Sequence, residues 1–111
     1  MDHCDLLCLD LPAAEEVRAS LDRDRAVAVA QLVKTLSDPT RLLIVQALAQ
    51  RELCGCDLAW ICECSDKLIS HHLGRLRRDG LVSSRRDGKI VFASLTDRGQ
   101  RTLAITTAVA A

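Results

Sequence analysis

Across residues 22–36, DRDRAVAVAQLVKTL, apolar side chains recur at Val29, Leu32, Val33 and Leu36. That spacing lays one apolar stripe along a helix. Upstream, Pro12 suits the first turn of a helix, and AAEEVRASL continues it with Glu15 and Glu16 where the helix dipole favours acids. Residues 1–11 read as a flexible arm. Pro39 in SDPT disfavours helical backbone at Asp38 and ends the second helix. TRLLIVQALAQ restarts one, with Leu42, Leu43, Val45, Ala47 and Leu48 expected to be largely buried. CDLAWIC is a short helix. SDKLISHHLGRLRRDG is a longer one, with Ser65 as N-cap and Gly80 as its stop. Leu68, Ile69, His72, Leu73 and Leu76 trace its inner face, where His72 reads as a packed or hydrogen-bonded core residue.

The period then changes. LVSSRR and KIVFASL are β-prone runs on either side of Asp87-Gly88, a strong hairpin signal. TDRGQRTLAITTAVAA returns to helix, with Thr96 or Asp97 as N-cap. The pattern predicts a mainly α fold with one β-hairpin, a single domain over residues 12–111 preceded by the arm.

Composition sharpens this. A chain of 111 residues holds one modest core, and Trp60 and Phe92 are its only aromatic residues, so that core is aliphatic. So small a core leaves helix faces uncovered, and a homodimer is expected. The zero net charge hides a gradient. Residues 1–65 carry six basic and eleven acidic side chains, a net of −5; residues 66–111 carry nine basic and four acidic, a net of +5. A basic half points to a polyanionic partner.

No run reaches the roughly 18 apolar residues needed to cross a bilayer, and MDHCDLLCLDLP lacks the basic and long apolar regions of a secretory signal. The expectation is a cytoplasmic protein with no membrane association, whose thiols stay reduced. Six cysteines there favour metal binding or redox sensing over a disulfide framework.

Two helices joined by a tight turn and followed by a hairpin with a basic tip describe a winged helix-turn-helix. Its second helix enters the major groove of double-stranded DNA and offers residues of its N-terminal half to base edges. Ser65, Lys67, Ser70 and His71 are the candidates for that contact. Arg75, Arg77 and Arg78 would meet phosphates, and the wing tip offers Arg85, Arg86 and Lys89 to the adjacent backbone or minor groove. An enzyme is not expected: no phosphate-binding glycine loop and no Ser/His/Asp or Cys/His set can be assembled. A thiol-redox regulator on the same fold and a structural zinc module remain the competing classes.

LSDPTRLLIVQAL, ELCGCDLA, SHHLGRLRRDGLV and RRDGKIVFASLT, in this order, resemble the ArsR/SmtB family of metal-responsive repressors over about residues 30–96. The resemblance implies a dimer, joined by its first and last long helices (residues 26–36 and 103–110), that binds operator DNA when metal-free and releases it on metal binding. ELCGCDLA with a cysteine-bearing arm looks like the cadmium/lead-responsive CadC type. By that resemblance Cys54 and Cys56 pair with Cys4 and Cys8 of the other protomer's arm. Four thiolates suit soft or borderline ions such as Cd2+, Pb2+ and Zn2+. Arsenic-responsive members usually add a third cysteine where Ala59 stands here, which leaves As(III) as the alternative inducer. Residues 97–111 hold Asp97 but no histidine, so the last-helix zinc site of some members is not expected. Cys62 lies six residues past Cys56, about 240° around a helix, so these two do not share a face. Cys62 and Cys64 read as fillers of the helix-turn-helix turn, with auxiliary metal or oxidant sensing as the alternative. Glu63 departs from the glycine common at that turn.

Overall fold

The structure, a computed structural model, describes residues 8–110. Its elements in chain order are α1 (Leu11–Ser20), α2 (Arg23–Thr35), α3 (Pro39–Leu48), β1 (Leu53–Cys54), α4 (Gly55–Cys62), α5 (Asp66–Arg78), β2 (Val82–Asp87), β3 (Ile90–Leu95) and α6 (Asp97–Ala110). Short polar side chains set the helix starts. Backbone N–H groups donate to Asp10 from Ala13 at 3.1 Å, to Asp22 from Arg25 at 3.0 Å, and to Asp38 from Arg41 at 3.1 Å. Ser65 accepts from Leu68 N at 3.1 Å, and Thr96 from Gly99 N at 3.0 Å. Each such cap satisfies a donor the helix cannot, and losing one costs about 0.5–2 kcal/mol. Pro12 and Pro39 sit in first turns, where a missing N–H does no harm.

The core is one cluster: Leu36, Ile44, Val45 and Leu48, Leu58, then Ile69, Leu73 and Leu76, closed by Leu81, Val82 and Ala93. Two expectations are corrected. Leu43 is 45% exposed while Ile44 beside it is fully buried. Leu42–Val45 is an unbroken apolar run, so periodicity alone could not choose the face; packing of α3 against α4 and α5 does. Leu68 is 41% exposed, because Ile69, His72, Leu73 and Leu76 already fill the inner stripe of α5 and Leu68 lies one 100° step off it.

The sheet runs β1-β3-β2, all antiparallel. Asp87 faces Ile90 across the hairpin, so Gly88 and Lys89 form the turn, with Gly88 at a φ of 65° that glycine tolerates. β1 extends the expected hairpin to three strands, Leu53 pairing with Ala93 and Cys54 with Phe92. At the base of the wing Leu81 N donates to Leu76 O and Thr96 Oγ1 to Gly80 O, which fixes the hairpin to the end of α5. A Cβ at Gly99 would overlap the Leu81 carbonyl and the Leu95 side chain, so only glycine lets α6 approach here.

α1 buries none of its side chains and α2 only Thr35. The molecule is accordingly long, 67 × 26 × 23 Å. Among the described residues no helix is long and apolar enough to cross a membrane.

Candidate nucleic-acid interface and thiol site

Between α4 and α5 the chain turns at Glu63, which adopts the left-handed conformation (φ 53°, ψ 48°). Cys64 N donates to Ala59 O at 3.1 Å and Glu63 N to Trp60 O at 3.3 Å, the bond pair of a Schellman ending. A residue with a Cβ pays roughly 1–2 kcal/mol for this conformation. The turn presents α5 with one face inside and one outside. Lys67, Ser70, His71 and Arg78 stand exposed on it, as do Arg86 and Lys89 on the wing; within the described residues none of the six makes a side-chain hydrogen bond or ion pair.

The other sequence-predicted DNA contacts are engaged within the protein. Ser65 Oγ caps α5. Half-buried Arg75 donates from Nε to Asp79 Oδ2 at 3.2 Å and from Nη2 to Thr35 Oγ1 at 3.3 Å. Arg77 Nη1 donates to Ser84 Oγ at 3.1 Å, tying α5 to the wing. Arg85 grips Glu52 with two hydrogen bonds, at 2.9 and 2.6 Å, and its guanidinium lies 4.7 Å from the centre of the Phe92 ring. Hydrogen bonds from Arg85 first, then Ser94, hold the Glu52 carboxyl below its usual range.

Thr35, buried at the end of α2, gathers a polar network that sequence reasoning missed. Its hydroxyl donates to Asp79, its carbonyl accepts from Arg41 Nε at 2.6 Å, and Arg41 Nη1 lies 3.4 Å from His72 Nδ1. The network joins α2, α3 and α5. Its links from α2 and α3 to the α5 end of the chain span 31 to 44 residues, so no local pattern could announce it.

Cys54 ends β1 and serves as the residue before α4, while Cys56 lies exposed in its first turn. Both residues sit at the irregular start of the helix. They line a cleft of about 550 Å³ with Asp66 and Ser70 of α5 and Lys89, Ile90 and Val91 of the wing. Asp57, also unanticipated, accepts from both Cys54 N (3.4 Å) and Cys54 Sγ (3.2 Å); its position three residues past the cap was the available signal. Cys54, Cys56, Cys62 and Cys64 are free thiols. Cys8 is exposed and disulfide-bonded, and Cys4 lies outside the described residues. Among the described residues no three His, Cys, Asp or Glu side chains gather as a metal-holding group, so Cys8 does not join Cys54 and Cys56 within one chain. The two thiols at the start of α4 would supply half of a four-thiolate soft-ion site. Cys62 and Cys64 pack half-buried against the core, away from that cleft, and burial, then the neighbouring Cys64, pushes the Cys62 thiol up.

Residues 38–84 match the family model described as "Bacterial regulatory protein, arsR family". The chain is 39% identical over 98 residues to a transcriptional repressor SmtB homolog of Synechocystis, covering 87% of this chain and 74% of that one. It is 38% identical over 90 residues to the cadmium resistance transcriptional regulatory protein CadC of Listeria innocua, covering 80% and 76%. The homodimeric winged helix-turn-helix DNA-binding domain Mb0332 of Mycobacterium bovis superposes with a TM-score of 0.69 at 30% identity, over 81% of this chain and 86% of that one. With the helix-turn-helix and wing in place, these matches show that the chain belongs to the ArsR/SmtB family of bacterial regulatory proteins, transcriptional repressors that bind DNA and not enzymes.

Proposed function

We propose that this repressor is a homodimer that holds operator double-stranded DNA through α5 and the wing and releases it when a soft ion binds. Cd2+, Pb2+ and Zn2+ are the inducers the donor set suits, held by Cys54 and Cys56 with Cys4 and Cys8 of the partner's arm. The observation that carries the reading is the shared cleft: Cys54 and Cys56 at the start of α4 line it together with Ser70 on the recognition helix and Lys89 on the wing. An ion bound there, with an arm drawn over it, acts directly on the surfaces that meet DNA. It also takes the place of the proton that Cys54 now shares with Asp57. Cys8 must be reduced before it binds, which fits the cytoplasm. Coupling of about 1–3 kcal/mol between such sites changes DNA affinity 5–150-fold, and DNA weakens ion binding by the same factor.

The test is titration of the reduced protein with Cd2+, Pb2+, Zn2+ and As(III). Thiolate-to-metal absorbance would be followed together with retention of a duplex selected from a random-sequence pool. Cys54→Ser and Cys4→Ser are each expected to remove ion-induced release while leaving metal-free DNA binding intact. If both variants still release DNA, the ligand set is wrong; if only As(III) releases it, the three-coordinate alternative replaces this one.

A further inference from the structure

Of the three cations on the wing, Arg86 and Lys89 have no side-chain partner among the described residues, whereas Arg85 is held inside the protein. The hold has a definite geometry. β3 lies between β1 and β2, and Cys54, Phe92 and Arg85 pair across the three strands in one row. From β2 the Arg85 side chain crosses the Phe92 ring of β3, 4.7 Å from its centre, and reaches Glu52 beside the start of β1. It donates from Nε and Nη2 to the two carboxylate oxygens, and Ser94 Oγ of β3 donates to the same carboxylate at 2.9 Å. All three strands are thus tied at one carboxylate. That row is also the last of the three-stranded sheet. β1 ends at Cys54, and towards the tip Arg86 pairs with Val91 and Asp87 with Ile90 as two strands alone.

A two-stranded ribbon twists more strongly than a wider sheet, so the direction of the tip depends on how its root is held. An exposed ion pair adds little stability. A planar fork on both carboxylate oxygens, laid over an aromatic ring, instead fixes an angle. Side chains alternate along a strand, so the hold on Arg85 leaves Arg86 on the opposite face of β2 with its charge free. The charge of Arg85 is offset by the carboxylate it grips. We propose that Arg85 is a positioning residue rather than a DNA contact: with Glu52 it aims the wing, and Arg86 and Lys89 meet the phosphates. An acidic side chain thereby strengthens binding to a polyanion, the reverse of what its charge alone dictates. The inference rests on the reading above that the wing meets DNA; it does not depend on the inducing ion or on any cysteine.

The test is the affinity of the full-length, reduced, metal-free protein for a duplex selected from a random-sequence pool, measured over a range of salt. Glu52→Ala and Arg85→Ala are each expected to weaken binding about fivefold or more, with the salt slope unchanged. E52A/R85A should be no weaker than either alone, because each single change already opens the clasp. Arg85→Lys keeps the charge and loses the fork, so it should match Arg85→Ala. Arg86→Ala should lower the slope by about one. Without DNA, the amides of residues 86–91 should exchange faster in Glu52→Ala than in the native chain, while circular dichroism is unchanged. If Glu52→Ala tightens binding, or Arg85→Ala lowers the slope and Arg85→Lys restores it, Arg85 is a phosphate contact and the proposal is overturned. Native affinity and native exchange in Glu52→Ala overturn it as well. Both outcomes leave the wing on the DNA and remove only the clasp. Native slopes in both Arg86→Ala and Lys89→Ala instead take the wing off the DNA, and with it the reading above and the aiming role together.

Discussion

His72 is 6% exposed on the inner face of α5, with Arg41 and His71 beside it and Asp38 across from it. Burial lowers its pKa most, Asp38 pulls it back up, and the positive charge of Arg41 and His71 lowers it further. The folded chain therefore binds fewer protons at this position than the unfolded one, whose histidine titrates near 6.5. Stability from the neutral ring is complete above about pH 6.5 and is lost as pH falls through the lowered folded value. The urea midpoint is expected to drop between pH 7.5 and 5. His72→Gln should cost about 1 kcal/mol at pH 7.5 and flatten that drop; a slope as steep as the parent's would assign the acid sensitivity to another group. The histidine's role was legible from its place in the stripe of Ile69, Leu73 and Leu76. Those of Arg75 and Arg85 were not. Both look like free cations in the sequence, and only the fold brings Asp79 with Thr35, and Glu52 with Phe92, to meet them.

At the scale of elements, α5 is held from behind by the end of α2 and from its side by the wing. Thr35 carries the first link, since its hydroxyl serves Asp79 and Arg75 together. Thr35→Val keeps the shape and leaves a half-buried carboxylate short of a donor, at a cost of about 1–3 kcal/mol. Because the change tilts the helix without removing a charge that meets DNA, duplex affinity should fall with the salt slope unchanged. Arg78→Ala should do the opposite, lowering the slope by about one unit while stability holds. Equal salt slopes for the two variants would show that Arg78 does not reach a phosphate. The helices themselves were readable where the start carries a short polar cap, as at Asp22 and Ser65. β1 was not: two residues hold no alternation, and its pairing waits for a strand that begins 36 residues later, at Ile90.

On the scale of the whole molecule, one chain leaves its long end without a partner. Leu11 and Val17 on α1, Leu21 just past its end, Val27, Val29 and Val33 on α2 and Ile105 on α6 are 39–71% exposed. Apolar surface removed from water stabilises by about 25 cal/mol per Å², and larger contiguous patches on soluble proteins mark association. A two-fold dimer lets the same helices cover one another and sets two recognition helices to face successive half-sites. Under the proposed function it also brings the partner's Cys4 and Cys8 to the cleft at Cys54 and Cys56. Val27→Asp with Ile105→Asp is therefore expected to convert the protein to a monomer in analytical ultracentrifugation. The same variant should lose at least tenfold in duplex affinity and bind Cd2+ with fewer thiolates, while the winged domain keeps its circular dichroism. A monomer that still takes up Cd2+ with four thiolates would place the arm ligands on the same chain, and a variant that remains dimeric would move the interface off these helices.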